Sequence, residues 1–172
     1  MNDDANSDGV SVAEFVEYCR IQAGLLSGQV ERMGEEADDL LAEIDERVSE
    51  IRARLEDHRN AVAGTESPES AGGPDADVDV AELETLQDEL EETQSVVEAK
   101  QARMQAFQDL AAGYTDLAEE LESSVEDDAT AFQRVVQFEA DNDAPAYFQE
   151  QDRQTLVEAA AEAADEDDGE DA

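Results

Sequence analysis

Two long heptad stripes, separated by one short Gly/Pro/Ser-rich break, constrain this chain more than any other feature. The second stripe runs Leu83, Leu86, Leu90, Thr93, Val97, Lys100, Met104, Phe107, Ala111, Tyr114, Ala118, Leu121 and Val125. Its steps alternate between three and four residues over six heptads. That is the period at which one face of a helix keeps meeting a partner helix. The first stripe runs Leu26, Val30, Met33, Ala37, Leu40, Ile44, Val48, Ile51, Leu55, His58 and Val62. It slips once, where Leu40, Ile44 and Val48 follow one another at four-residue steps, a stutter. Together the stripes predict an all-α fold: a long antiparallel coiled-coil helical hairpin, with a shorter third C-terminal helix packing at the base.

Local signals set the expected boundaries. Ser11 as cap, Glu14 closing a capping box and Val10 stapling onto Phe15 place the first helix at about 11–63. Gly64, Pro68, Gly72, Gly73 and Pro74 predict a loop over 64–78, which lacks a phosphate cradle's lysine and preceding strand. Asp79, Glu82 and Val78 repeat the start signal, so the second helix is expected over about 79–140. Asn142 to Pro145 then mark a stop and a new start, with Asp143 as cap, and a third helix over about 144–164. The hairpin domain thus occupies 10–164, between a disordered acidic N-terminus (1–9) and a disordered acidic tail (165–172).

At ~1.5 Å per residue each long helix spans roughly 80 Å. With the turn centred near residue 71, facing positions sum to about 141. That register sets Leu26 near Thr115, Val30 near Ala111, Ile44 near Val97, Ile51 near Leu90 and Leu55 near Leu86. It also sets Gly28 opposite Gly113, where small residues would either let the backbones approach or merely loosen the helix. Toward the termini the apolar face is too broad for two helices to cover. The third helix or a second copy must close it. The expectation is a contribution from the third helix together with a homodimer. Phe15, Cys19, Leu117, Leu121, Val125 and Phe132 would form that core or dimer surface, and residues 60–80 a mobile tip.

Charge excludes some partners. Acidic residues number 49 against 10 basic, a formal net charge of −39, and Lys100 is the sole lysine. Nucleic-acid phosphates and anionic membranes carry the same sign, so neither is an expected partner. The acidity is spread along the chain, with −10 over residues 1–63 and −14 over 78–140. This composition resembles that of cytoplasmic proteins from salt-accumulating haloarchaea, in which molar salt screens such repulsion at about 3 Å. The competing reading is a surface that recruits a basic partner or mimics nucleic acid. The N-terminal sequence lacks the basic and apolar regions of a signal peptide. No apolar run reaches the roughly 20 residues that span a bilayer. A soluble, cytoplasmic protein is expected.

The chain offers little for chemistry. His58 and Cys19 are its only histidine and cysteine, which excludes a disulfide framework, Cys/His zinc sites and a di-iron bundle. On one helix the two lie ~60 Å apart by helical rise, too far to work as a catalytic pair within one chain. Carboxylate pairs such as Glu35-Glu36, Glu91-Glu92 and Asp127-Asp128 arise without selection in so acidic a chain, and read as solvated faces. Arg47, Arg52, Arg54 and Arg59 lie opposite the run Glu82, Glu84, Asp88, Glu89, Glu91 and Glu92, so flanking charge could set the pairing. The alternative for these arginines is a basic patch for an acidic partner. No catalytic, cofactor-binding or metal-ligating residue is assigned, and no cofactor is expected.

The expected function is therefore a non-enzymatic coiled-coil dimerisation and protein-interaction (scaffold or adaptor) protein, adapted to high salt, with unidentified protein partners. The alternative is a holdase-like, client-binding coiled coil. Helical rods on a shared base are similar in shape to prefoldin-type chaperone subunits, which implies that client-gripping role. Exposed apolar residues at the tip would favour it, and Thr65 to Asp77 contain no large apolar residue.

Overall fold

The computed structural model describes residues 9–63 and 74–168. Most of these residues are helical, with no strand among them. Helix α1 spans Val12–Ala63, α2 Pro74–Ser124, α3 Asp128–Asp141, α4 Pro145–Phe148 and α5 Leu156–Asp168, with a 3-10 turn at Gln149–Gln151. Helices α1 and α2 pack as an antiparallel hairpin, and the short C-terminal helices cover its base. No described helix is long and apolar enough to cross a membrane. Residues 1–8, most of the expected loop, the last four residues and the side chains of Val62, residues 74–79 (the expected staple Val78 and cap Asp79 among them) and Asp168 lie outside the described part.

Contacts divide the chain into two compact units: residues up to Glu31 with those from Gln105 onward, and Arg32–Met104. In the second unit the hairpin is thin. Among its described stripe residues only Met33, Ala37, Leu86 and Val97 are buried, and Thr93, Lys100 and His58 take half-buried positions. Three ion pairs cross between the helices, Lys100–Glu36, Arg47–Glu89 and Arg54–Glu82, and the numbers of each sum to 136. In the first unit Arg20–Glu122 sums to 142 and Val30 shares a groove with Ala111, as the expected register of about 141 has it. Helix α2 starts at Pro74, not Asp79. Proline's fixed φ and missing N–H suit the first position of a helix, so a residue read as a breaker is in fact the start. Glu82, expected to close a capping box, lies in the helix and holds Arg54.

The stutter also resolves differently. Arg54 is half-buried where Leu55 was expected, and Leu55 turns outward, 50% exposed. The inward set from Ala37 onward is then Ala37, Leu40, Ile44, Arg47, Ile51, Arg54 and His58, an unbroken heptad. Arg47 and Arg54 lay their aliphatic stems along the seam and carry their charge out to the glutamates.

In the first unit the wide apolar face is closed within the chain. Ser11 caps α1 as expected: its N–H donates to Glu14 Oε2 at 2.8 Å, and the Glu14 N–H donates back to Ser11 Oγ at 3.3 Å. That backbone bond holds the Glu14 carboxyl below the usual range. Val10, the expected staple, is half exposed, and Phe15 meets the Phe132 ring instead, 6.1 Å between centroids.

The second helix does not run to residue 140. It ends at Ser124, and Asp127 caps a new helix by accepting from the Thr130 N–H and Oγ, both at 2.9 Å. Three consecutive acids, Glu126 to Asp128, repel one another inside a helix but suit the positive end of a new one. The turn brings α3 back over the base, and Asp128 ties it to α1 by accepting the Val12 N–H at 2.9 Å.

The third helix is likewise broken. Asp143 is not its cap: it adopts a left-handed φ of 51° that closes α3, and α4 starts at Pro145 without a side-chain cap. Asp152, also left-handed at φ 50°, ends the 3-10 turn before α5. Short polar side chains tolerate this conformation better than most. Helix α5 continues to Asp168, so Asp165–Asp168 are helical rather than part of a disordered tail.

Gly28 and Gly113 do not face each other closely. A methyl group at Gly24 or Gly28 would meet nothing within 4 Å, whereas one at Gly113 would lie 2.8 Å from the Phe138 ring. The small residues Ser27, Ala111 and Ala112 instead line a shallow groove with Val30, Gln108 and Thr115. Gly113 serves α3 rather than α1. We therefore expect Gly28→Ala to stabilise the chain by ~0.5–1 kcal/mol through helix propensity. Gly113→Ala should destabilise it by displacing Phe138, and urea denaturation followed by helical ellipticity separates the two.

Candidate functional site

The densest polar cluster in the described residues lies where α1, α2, α3 and α5 meet. Helix α3 buries Ala131, Val135 and Glu139, positions four apart on one face. Two are ordinary core residues and the third is a carboxylate with no exposed surface. Its Oε1 accepts from Tyr18 Oη at 2.6 Å and from Tyr114 Oη at 2.9 Å. Its Oε2 accepts from the Val157 N–H at 2.8 Å. That N–H belongs to the first turn of α5, so Glu139 also sits at the positive end of that helix.

The partners are themselves satisfied. Tyr18 Oη accepts from the Leu156 N–H at 3.2 Å and from Gln22 Nε2 at 3.0 Å. Gln22, fully buried, accepts from Arg153 at 3.4 Å. Thr155 caps α5 through a further box, its N–H and Oγ donating to Glu158 Oε2 at 2.9 and 3.1 Å. Orphan N–H groups at the start of α5 are thus met by side chains from α1, α3 and α5 itself.

Burial, reinforced by the adjacent Glu139 carboxylate, pushes the Tyr18 and Tyr114 hydroxyls well above the usual tyrosine range. Burial likewise pushes the Cys19 thiol up to about 12, with Glu139 again contributing. A thiol held in its protonated form is a poor nucleophile. Cys19 therefore acts as a small core residue, and His58 lies in the other unit. Among the described residues, no group of three or more His, Cys, Asp or Glu side chains is placed to hold a metal ion.

Glu139 and Tyr114 have no exposed surface, and Tyr18 is half-buried. The Glu139 carboxylate bonds to Tyr18, Tyr114 and the Val157 N–H. What the arrangement does is fasten α5 and α3 to the hairpin. Of the residues expected at a shared base, Phe15, Cys19, Leu117 and Leu121 are buried in this core and Val125 is half-buried. Only Phe132, 37% exposed, keeps a face to solvent.

Glu139→Gln keeps the shape but turns one acceptor into a donor facing the fixed Val157 N–H. We expect a loss of about 1–3 kcal/mol, the cost of leaving a buried group unpaired. Urea denaturation gives that number, and amide exchange at Val157 should rise with it.

Alkali provides a second check. The raised hydroxyls stay protonated in the fold while unfolded tyrosines ionise near pH ~10. Their contribution is full below that pH and is lost as pH rises above it. Cys19 adds a loss that starts near its ordinary 9.0 and runs to about 12. Unfolding midpoints measured from pH 7 upward should fall, with tyrosinate absorbance from Tyr18 and Tyr114 emerging only as helicity is lost.

Comparison of the chain with protein-family models, with characterised proteins and with solved structures finds no match.

Proposed function

We propose that this chain is a non-enzymatic coiled-coil protein-interaction module, a scaffold or adaptor of the cytoplasm, that self-associates and is adapted to high salt. One contrast carries the reading. Glu139, Tyr114 and Cys19 are buried in the core, while large apolar side chains stand outward on the thin hairpin: Leu41, Leu55, Val80 and Val96. A two-helix coil that leaves such residues in water gains by covering them with another protein.

The salt reading rests on a charge of −39 distributed over the whole sequence. The surface ion pairs contribute little each and cannot offset that repulsion at low ionic strength. The exposure of Leu55 and Val80 also supports a second reading, in which the coil grips unfolded clients.

Light scattering on a sizing column in about 2–3 M KCl, where the Debye length falls to ~3 Å or less, tests the first reading. The expected result is a dimer whose helicity declines as salt is removed, and from which protein partners can be recovered. A chain that neither self-associates nor retains any protein would refute the module. Suppression of aggregation of a heat-denatured enzyme at stoichiometric amounts would favour the client-binding reading.

A further inference from the structure

The two flanks of the Arg32–Met104 hairpin differ in charge. With Ala37, Leu40, Ile44, Arg47, Ile51 and Arg54 inward, the positions beside the seam fall into two lines on each helix. One flank carries Glu36, Glu43 and Glu50 of α1 with Glu82, Glu89, Val96 and Arg103 of α2. The three seam cations, Arg47, Arg54 and Lys100, all lean onto these glutamates. On the other flank α1 presents Leu41, Val48 and Leu55, and α2 presents Val80, Gln87, Gln94 and Gln101. None of those seven side chains is charged, in a chain with 49 acidic residues.

Next to Leu41, Val48 and Leu55 on the surface of α1 lie Asp38, Asp45, Arg52 and Arg59, all exposed. Arg52 and Arg59 enter no ion pair among the described residues. The ridge therefore reads Asp38, Leu41, Asp45, Val48, Arg52, Leu55, Arg59, in steps of three and four, acidic in its first half and basic in its second. Turned end for end about Val48, it is its own complement. Leu41 then meets the partner's Leu55, Val48 the partner's Val48, Asp45 the partner's Arg52 and Asp38 the partner's Arg59.

We propose that this ridge of α1 is the surface on which a second copy of the chain docks, antiparallel, across a two-fold axis at Val48. The inference rests on the interaction-module reading and names its self-association surface. Charge selects the occupant. Two copies of so acidic a chain repel over most of their surface, and this ridge carries no net charge and opposite signs at its two ends. A self-complementary patch is what a two-fold interface requires. The apolar residues supply the burial, and the end charges fix direction and register, the usual division of labour in coiled coils.

Two reversals test it. Arg52→Glu with Arg59→Glu makes the ridge wholly acidic, and Asp38→Arg with Asp45→Arg makes it wholly basic. Each variant alone should dissociate at least tenfold more readily than the unaltered chain, because like charges now face each other. An equimolar mixture should recover a dimer, of mixed composition by native mass spectrometry. The samples are held in the lowest KCl that keeps full helicity, so that screening does not hide the effect.

Independently, Val48→Cys should oxidise to a covalent dimer, since a residue on the axis meets itself and the buried Cys19 thiol does not compete. A dimer that both reversals leave intact, or that Val48→Cys fails to cross-link, would overturn the ridge while leaving the module standing. A monomer that still captures other proteins would do the same. A monomer with no partner at all would overturn both.

Discussion

The buried Glu139 carboxylate is the contact on which the first unit depends. Three donors from three different helices converge on it: Tyr18 from α1, Tyr114 from α2 and Val157 from α5, with the carboxylate itself on α3. Taking a carboxylate out of water is costly unless its lone pairs are met, and here hydroxyls and a helix N-terminus meet them. The consequence is cooperative. If α5 lifts away, Glu139 loses its backbone donor and Tyr18 loses one of its own, so each element holds the others in place. An apolar residue at position 139 would fill the space without specifying which turn of α5 docks there.

Much of the long-range pattern was legible because it repeats. Every member of the second stripe, from Leu83 to Val125, is buried or half-buried, and among described side chains the first stripe departs from the seam at Val48, which moves half-buried to its flank, and at Leu55, which is exposed. Repetition over six heptads averages out local exceptions. Single residues set the breaks, and those were harder to read. Asp127 with Thr130, and Thr155 with Glu158, are the same kind of start signal recognised at Ser11 and Glu14. The first was hidden because the stripe continues into it, the second because no Gly or Pro precedes it. Pro74 failed in the opposite way, read as a breaker when it is a first helical residue.

The cluster itself was nearly invisible in the sequence, for a reason particular to this composition. When 49 of 172 residues are acidic, one more glutamate carries no information by type. Its position did carry some. Ala131, Val135 and Glu139 follow at intervals of four, so a carboxylate falls on the apolar face of α3. In an ordinary protein that placement would draw attention at once. The tyrosines were visible as aromatic residues of the base, and only the fold shows that their hydroxyls turn inward to one acceptor.

The two units solve the same electrostatic problem in different ways. The first puts one carboxylate inside and surrounds it with neutral donors, so no cation is spent on it. The second is too thin to bury anything charged, and uses its scarce cations at the seam. Arg47, Arg54 and Lys100 occupy positions where leucine would pack better, and each draws a glutamate of the opposite helix against the flank. Lys100 holds the Glu36 carboxyl below its usual range as it does so. This arrangement gathers the glutamates that meet the seam cations on one flank and leaves Leu41, Val48 and Leu55 on the other.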